Sequence, residues 1–368
     1  MTMPQLGDPV ASLLTPALVI DLDAMERNLA RMAEFARRHG LRLRPHAKMH
    51  KSGHIAKLQM AAGAGGVCVQ KLSEAEALAA AGVSDIYISN EIIDPAKLAR
   101  VAALAGRVTL AIAVDSALGV SRLAAAVTAT GHPLDVFVEV DVGQGRCGVR
   151  PADAAALARQ VVAQGLRFAG LQAYHGRAQH LRTPAEREAA IGQTVASVRV
   201  ALAGLAAADI ACPLVTGAGT GSFVFEAASG VYGELQAGSY LFMDADYGSN
   251  QPTPGAPVFE HALFIKSQVV SRDEAHAVVD AGHKSHAIDS GLPRVWLRDL
   301  VFSNGGDEHG ILHPARDALP ELGDTVWLVP GHCDPTVNLH GHCVALRGGL
   351  MGGVVEGVWP VDARGCVI

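Results

Sequence analysis

Charge is scarce in this sequence, and no block of one sign occurs. Asp, Glu, Lys and Arg together make up 18% of the 368 residues, and the formal net charge is −6. A nucleic-acid surface needs a basic patch, which a chain of this charge pattern does not provide. We therefore expect no nucleic acid among the partners, and instead small molecules or further copies of the chain.

Paired cysteines are also missing. A disulfide framework or a structural zinc site would need cysteines at paired CxxC-type spacing. The six cysteines are scattered instead, at Cys68, Cys147, Cys212, Cys333, Cys343 and Cys366. We expect all of them to be reduced thiols.

Long apolar runs are absent too. No stretch of about 18 uninterrupted apolar residues occurs, which is the length a membrane-spanning helix needs. The opening segment MTMPQLGDPVASLLTP lacks a basic start followed by an apolar core. These absences predict no membrane segment and a cytoplasmic location. With 49% hydrophobic residues and 40 glycines, the composition is that of a compact soluble enzyme.

From residue 17 to about 245, short apolar runs rich in β-branched residues alternate with alanine-rich helical stretches. Helices are predicted to begin at Asp23 and Ser73 and to end at Gly40 and Gly82. Eight strands in strict alternation favour a (β/α)8 TIM barrel, an α/β fold, over residues 17–247. The strands are expected at 17–22, 41–45, 66–70, 85–90, 108–114, 134–142, 168–174 and 213–219.

The pattern of apolar and polar residues changes after Tyr247. Segments such as HALFIKSQVVS and DTVWLVPGH alternate apolar and polar residues between Gly, Pro and Asn turns, with no convincing amphipathic helix. We predict a β domain over 248–368, joined by residues 1–16.

A lysine follows the second expected strand, in the stretch RPHAKMHK. Barrel enzymes keep their chemistry where strands end, so Lys48 is placed to act. Apolar walls and nearby Arg44 should disfavour its ammonium form, as a Schiff-base nucleophile requires. A solvated loop lysine is the alternative. Lys51 is the local rival, but we expect its side chain to face outward.

A glycine-rich turn follows the last expected barrel strand. In TGAGTGS, 216–222, backbone N–H groups could hold a phosphate, with Thr220 and Ser222 adding hydroxyls. A plain tight connection is the alternative. Gly238 and Ser239 in LQAGSY offer a second turn that could complete the cup. A lysine nucleophile and a phosphate cup in one barrel are the minimal set for pyridoxal 5'-phosphate.

The segment PGHCDPTVNLHGHC offers metal ligands. On an extended strand, His332 and Asp334 would point to the same side, with Cys333 opposite. One imidazole and one carboxylate suit Mn, Mg, Co or Zn, with other positions open to water or substrate. A polar turn with a hydrogen-bonded histidine is the alternative. A rival ligand set is His340, His342 and Cys343, which lacks an outer CxxC partner.

Two further loops carry candidates. In QAYHGRAQH, Tyr174 could lie beside a cofactor ring, and His175 or His180 could act as a base near neutral pH. In VDVGQGRCGV, Arg146 could pair with a cofactor oxygen or a substrate carboxylate, or form a structural ion pair.

These segments, with TPALVIDLDAMERN, GVCVQKLSEAEA, ELQAGSYLFMDADY and DSGLP, resemble in order the D-threonine aldolase and D-3-hydroxyaspartate aldolase branch of the fold-type III pyridoxal phosphate enzymes. The resemblance covers nearly the whole chain. It implies an N-terminal barrel of the alanine-racemase type, a C-terminal β domain and a homodimer that completes the active site.

The resemblance also implies roles for single residues. Lys48 matches the Schiff-base lysine, and His180 matches the histidine acting near the substrate hydroxyl. The phosphate-binding turn corresponds to Gly219 and Thr220, and the divalent metal pair to His332 and Asp334. Relatives often have leucine at His283 and an acidic or aromatic residue near the segment GHC at 341–343, which bears on substrate preference.

The activity implied is lyase chemistry: cleavage of a D-β-hydroxy-α-amino acid to glycine and an aldehyde, with manganese the favoured metal. A D-3-hydroxyaspartate or D-serine dehydratase would use the same groups, and a D-3-hydroxyaspartate aldolase releasing glyoxylate lies between the two. The His-x-Asp pair favours an aldolase, since D-serine dehydratases of this fold tend to have cysteine at the second position. Racemisation needs no metal, and a non-catalytic pyridoxal phosphate carrier needs no β domain.

Overall fold

Residues 3–368 are described by a computed structural model. The strands, in chain order, are β1 (Ala17–Asp21), β2 (Arg42–Leu43), β3 (Val67–Val69), β4 (Asp85–Ile88), β5 (Thr109–Val114), β6 (Asp135–Glu139), β7 (Arg167–Ala173), β8 (Val215–Gly217), β9 (Glu234–Leu235), β10 (Leu263–Arg272), β11 (Ala277–Val279), β12 (Arg294–Val295), β13 (Leu300–Asn304), β14 (Gly310–Pro314), β15 (Thr325–Val329), β16 (His342–Arg347) and β17 (Val354–Pro360).

The α-helices separate most of the strands in the first two thirds of the chain. In chain order they are α1 (Leu22–Arg38), α2 (Gly53–Ala61), α3 (Leu72–Ala80), α4 (Pro95–Leu104), α5 (Ala117–Thr130), α6 (Ala154–Ala163), α7 (Pro184–Ala207), α8 (Phe223–Ala228) and α9 (Cys333–Leu339). By length and apolar composition α7 could cross a membrane, but it packs against α6 and α8 on the outside of the barrel.

Eight parallel strands form one curled sheet in the order β2-β9-β8-β7-β6-β5-β4-β3. A parallel bridge between His46 and Cys68 links the chain beyond β2 to β3, the other edge strand. Such strands are covered on both faces, so they carry near-continuous apolar runs, and β5 is buried from Leu110 to Val114. The predicted barrel of the alanine-racemase type is confirmed.

The second sheet is mainly antiparallel, in the order β13-β14-β11-β10-β1-β16-β17, with β15 pairing to β10 and β12. It includes β1, so the prediction of a barrel strand at 17–22 is wrong. Val19 lies opposite Phe264 of β10 and Val344 of β16. The eighth barrel strand is β9, in a segment predicted to be a turn. An apolar run marks a buried strand but does not say which sheet it joins. The division into units at 17–247 and 248–368 stays a prediction.

Three helix predictions need correction. The side chain of Asp21, and not Asp23, caps α1 by accepting a hydrogen bond from Ala24 N at 3.2 Å. Lys71 and not Ser73 precedes α3. Helix α9 lies where no helix was expected. The predicted end of α1 is correct to one residue, because Gly40 follows its C-cap with a φ of +64°.

Candidate active site

A cavity of ≈740 Å³, including its open mouth, lies where the barrel strands end and faces α9. Ten of the residues singled out from the sequence line it: Lys48, Arg146, Tyr174, His180, Gly219, Thr220, Gly238, Ser239, His332 and Asp334. The topology explains this convergence, because parallel barrel strands end on one face. Their individual roles stay predictions.

Lys48 lies in a short 3-10 turn, Ala47–Met49, just beyond β2. The backbone N–H of Lys48 donates a hydrogen bond to Nδ1 of His46 at 3.4 Å. Its Nζ lies 3.1 Å from Asp334 Oδ2, and this carboxylate raises the pKa of Lys48 although burial opposes the shift. The prediction that the ammonium form of Lys48 is disfavoured is therefore wrong, and so is the expected influence of Arg44. That side chain pairs with Asp85 and Glu234, the first residues of β4 and β9, at the opposite end of the barrel.

Lys51 does not face outward as predicted. Its side chain is buried, and Nζ lies 2.8 Å from Glu74 Oε1 and 3.4 Å from the carbonyl oxygen of Ala363. The outward prediction assumed that α2 begins at Lys51. The helix begins at Gly53, and Lys51 adopts a φ of +51° that turns its side chain inward.

The two glycine-containing turns form a cup in the cavity wall. Across residues 3–368, no acceptor is recorded for the backbone N–H groups of Gly219, Thr220, Gly238 and Ser239, although all four residues are buried. Buried N–H groups without a partner are rare, so four together indicate an anionic ligand. A Cβ on Gly238 would lie 2.8 Å from the carbonyl oxygen of His46, so only glycine lets this turn approach the Lys48 loop.

Of the two predicted hydroxyl donors, Thr220 lines the cavity and Ser222 does not. Thr220 Oγ1 accepts a hydrogen bond from Tyr240 N at 2.9 Å, which ties the two turns together. Ser222 faces away from the cavity, since its Oγ donates to Glu226 Oε1 and accepts from Gln179 Nε2, both at 2.7 Å. The cup is therefore made chiefly of backbone N–H groups.

The expected metal pair is assembled, but not on a strand. His332 precedes α9 and Asp334 lies in its first turn, with His332 Nε2 3.7 Å from Asp334 Oδ1. Asp334 Oδ1 is buried and has no hydrogen-bond partner among residues 3–368. Asp289 Oδ2 accepts from His332 Nδ1 at 2.7 Å, which leaves Nε2 free to ligate. As predicted, Cys333 points elsewhere, with Sγ 3.4 Å from the carbonyl oxygen of Met243.

Electrostatics fit a cation at this pair. Burial alone would raise the pKa of Asp334, but the Lys48 ammonium and His332 hold it below its ordinary value. For His332, burial alone would lower the pKa, but the carboxylates of Asp334 and Asp289 outweigh burial and raise it. An orphaned carboxylate oxygen beside an oriented imidazole is the donor set that a divalent metal needs. The rival set is not assembled: in the described chain His340, His342 and Cys343 form no three-ligand group, and His340 Nε2 bonds the carbonyl oxygen of Ser285.

The two remaining loops also reach the cavity. The guanidinium of Arg146 lies 5.9 Å from the ring centroid of Tyr174. His180 Nδ1 bonds Asp246 Oδ2 at 2.5 Å. His175, the alternative base, does not line the cavity, and its Nδ1 accepts from Ala178 N at 3.3 Å.

Sequence reasoning missed several polar residues of the cavity. They share one signal, because each lies at or just beyond the end of a barrel strand: His46, Gln70, Ser89, Gln172 and Gln236. Burial keeps the pKa of His46 well below its ordinary value, so this imidazole is neutral beside Lys48. Asp289 was also missed, because nothing in the segment DSGLP places it against His332.

Residues 20–246 match the family model described as alanine racemase, N-terminal domain, and residues 262–346 match a putative serine dehydratase domain. A D-threonine aldolase of Arthrobacter is 47% identical over 98% of this chain and 95% of its own length. A 3-hydroxy-D-aspartate aldolase of Paracoccus denitrificans is 44% identical over 98% and 94%. This chain belongs to the D-threonine aldolase family.

A solved structure supports membership of the D-threonine aldolase family over the full length. The D-threonine aldolase of Filomicrobium marinum is 48% identical, with a TM-score of 0.97 and complete coverage of both chains. A more distant relative, the D-threo-3-hydroxyaspartate dehydratase of a Delftia strain, is 32% identical over 89% of this chain and 93% of its own. The family resemblance seen in the sequence motifs is therefore confirmed, and the chain is an aldolase-type lyase by relationship.

Proposed function

We propose that this protein cleaves D-β-hydroxy-α-amino acids to glycine and an aldehyde, with pyridoxal 5'-phosphate and a divalent metal ion. The observation that carries the proposal is one cavity in which Lys48, a cup of unpaired backbone N–H groups and the pair His332 and Asp334 face each other. The named activities of the relatives at 44–47% identity support the reaction class.

The cup would hold the phosphate of the cofactor. Its N–H groups can donate to phosphate oxygens without rearrangement, because none is used within the described protein. Lys48 would carry the cofactor covalently. Its contacts with His46 and Asp334 limit the positions that its Nζ can occupy. When bound, the cofactor supplies an electron sink for cleavage beside the α-carbon.

His332 Nε2 and Asp334 Oδ1 would hold the metal ion, whose Lewis acidity would lower the pKa of a substrate hydroxyl. Asp289 fixes the tautomer of His332 by accepting from Nδ1. We propose manganese, since an imidazole and a carboxylate with open positions suit this ion, while magnesium, cobalt and zinc are the alternatives to test.

His180 would take the proton of the β-hydroxyl group. Its Nδ1 is engaged by Asp246, so Nε2 is the nitrogen left to act as base. The ring centroids of His180 and Tyr247 lie 5.6 Å apart, and Tyr247 also lines the cavity. This contact restricts rotation of the His180 imidazole. Arg146, at the mouth, is placed to meet a carboxylate of the substrate or an oxygen of the cofactor.

Product analysis tests the reaction. Purified protein with pyridoxal phosphate and Mn²⁺ is given D-threonine, D-phenylserine and D-3-hydroxyaspartate in parallel, with and without a chelator. Glycine and an aldehyde, lost on chelation, are expected, and glyoxylate from D-3-hydroxyaspartate would identify that acid as a substrate. Ammonia and a 2-oxo acid would instead establish a dehydratase, the activity named for the Delftia relative.

We also propose a homodimer. Ile288 and Leu292 are 45% and 40% exposed and flank Asp289, so two apolar side chains stand in solvent beside the metal pair. A partner subunit covering this edge would bury them. Sedimentation equilibrium tests the dimer.

For location we propose the cytoplasm, because all six cysteines are free, and cell fractionation tests it.

A further inference from the structure

A second group of ligand-type side chains lies beside the active-site cavity. Glu91 follows β4, Asp115 follows β5 directly, and Cys147 lies in the loop after β6. Ligand atoms of these three residues all lie within 4.8 Å of one another. Glu139, the last residue of β6, is buried against Glu91. The group is separate from the pair His332 and Asp334 and shares no residue with the cavity lining.

These carboxylates have almost no hydrogen-bond donors. Both side-chain oxygens of Glu91 are buried, and among residues 3–368 their polar neighbours are the carboxyl of Glu139 and the thiol of Cys147, which can bond them only when protonated. Glu139 is 4% exposed, and its carboxyl group contacts that of Glu91. Asp115 accepts from the backbone N–H of Gly148 at 3.2 Å. A buried carboxylate is normally hydrogen-bonded or ion-paired, so this arrangement lacks a component.

No lysine or arginine supplies the missing charge. Over residues 3–368, none of these carboxylates takes part in an ion pair within 4.0 Å. The guanidinium of Arg146 lies over the ring of Tyr174 and is near enough to favour the ionised forms of Glu139 and Cys147, but it makes no ion pair with them within 4.0 Å. Three carboxylates that face one another must therefore be neutralised by protons or by a bound cation.

We propose that Glu91, Asp115 and Cys147 form a second metal site that binds a divalent transition-metal ion, with Glu139 beside it. Two carboxylates and one thiolate make a ligand set of mixed hardness, which Zn²⁺, Co²⁺ and Mn²⁺ accept and which Mg²⁺ and Ca²⁺ do not favour. The three ligands follow three adjacent strands, so the ion would tie β4, β5 and β6 together at the rim of the cavity.

Metal ligands must be deprotonated, so binding would release any protons that these side chains carry. The site does not depend on the reaction proposed above.

Sulfur gives a readout that belongs to this site alone, because Cys333 points away from His332 and Asp334. The full-length holoenzyme carrying Asp334→Asn, which weakens the first site, is loaded with Zn²⁺ and dialysed. Zinc content and X-ray absorption at the zinc edge are then measured. We expect about one zinc per chain with a sulfur neighbour at about 2.3 Å.

Two cysteine variants in the same background complete the test. Cys147→Ser should lose the sulfur neighbour, whereas Cys366→Ser, a half-buried cysteine outside the group, should keep it. If circular dichroism shows that Cys147→Ser does not fold, Glu91→Gln takes its place, with Glu76→Gln as the control. Zinc affinity should then fall at least tenfold in Glu91→Gln and stay unchanged in Glu76→Gln. Zinc without a sulfur neighbour, no retained zinc, or an unchanged signal in Cys147→Ser would overturn the proposal.

Discussion

Asp289 should control metal affinity without touching the metal. Its Oδ2 accepts from His332 Nδ1 at 2.7 Å and thereby presents Nε2 beside the unpaired Oδ1 of Asp334. The substitution Asp289→Ala removes both the orienting hydrogen bond and the negative charge behind the imidazole. We expect weaker Mn²⁺ binding with an otherwise intact fold.

The size of the effect follows from the contact. Removing a carboxylate that orients a metal-ligating histidine costs roughly 10–100-fold in metal affinity, or about 1.4–2.7 kcal/mol. Asp289 is about half exposed. Solvent screening therefore places the expected loss towards the lower end of that range. Asp289→Asn can still accept the hydrogen bond, so it should recover part of the affinity.

The chain offers a matched control. His283 Nε2 and Asp307 Oδ1 form a histidine–aspartate pair of the same length, 2.7 Å, with a similarly exposed carboxylate, away from the cavity. Titration calorimetry with Mn²⁺ on the cofactor-loaded protein is the assay. Asp307→Ala should bind Mn²⁺ like the unaltered chain. A change below threefold for Asp289→Ala, or an equal loss for both variants, would refute the orienting role.

Lys48→Ala should abolish the borohydride-reducible cofactor adduct on the peptide containing residue 48, measured by mass spectrometry, and an adduct retained there would show that the lysine assignment is wrong. Lys51→Met leaves the buried carboxylate of Glu74 without its cation, so it should lower the free energy of unfolding by about 3–5 kcal/mol in denaturant titrations; a loss below about 1 kcal/mol would contradict a desolvated pair. Burial raises the pKa of Glu226, which is 1% exposed, to about 7. The unfolded chain ionises first, so the native state loses stability as the pH rises from about 4.5 to 7, at 1.36 kcal/mol for each pH unit and reaching about 3 kcal/mol. Glu226→Gln should remove this slope, and equal slopes in thermal unfolding of both proteins would count against it.

The sequence predicted residues that line the cavity but not how their side chains are held. Parallel strands end on one face of a barrel, so side chains after separate strands converge without knowledge of any contact. This is why Lys48, Gly219 and Thr220 could be placed together from strand order. The predictions for Arg44 and Lys51 were wrong, because their side-chain directions depend on where β2 ends and where α2 begins, and a shift of one or two residues there reverses the direction.

For the metal pair, the sequence predicted the two residues but not the secondary structure that carries them. The spacing of His332 and Asp334 indicated a shared ligand site, and they do meet, although at the start of α9 and not on a strand. A short helix inside a strand-rich segment has too few turns to give a periodic apolar pattern.

By itself, the sequence determined the alternation of strands and helices, the lysine, the glycine turns and the family. Those features depend on local residue patterns and on their order along the chain. Only the tertiary structure decided that β1 joins the second sheet, that Asp289 holds His332, and that Glu91, Asp115 and Cys147 meet. These are contacts between distant segments, and they arise from how the strands pair and how the loops pack, which a local pattern does not encode.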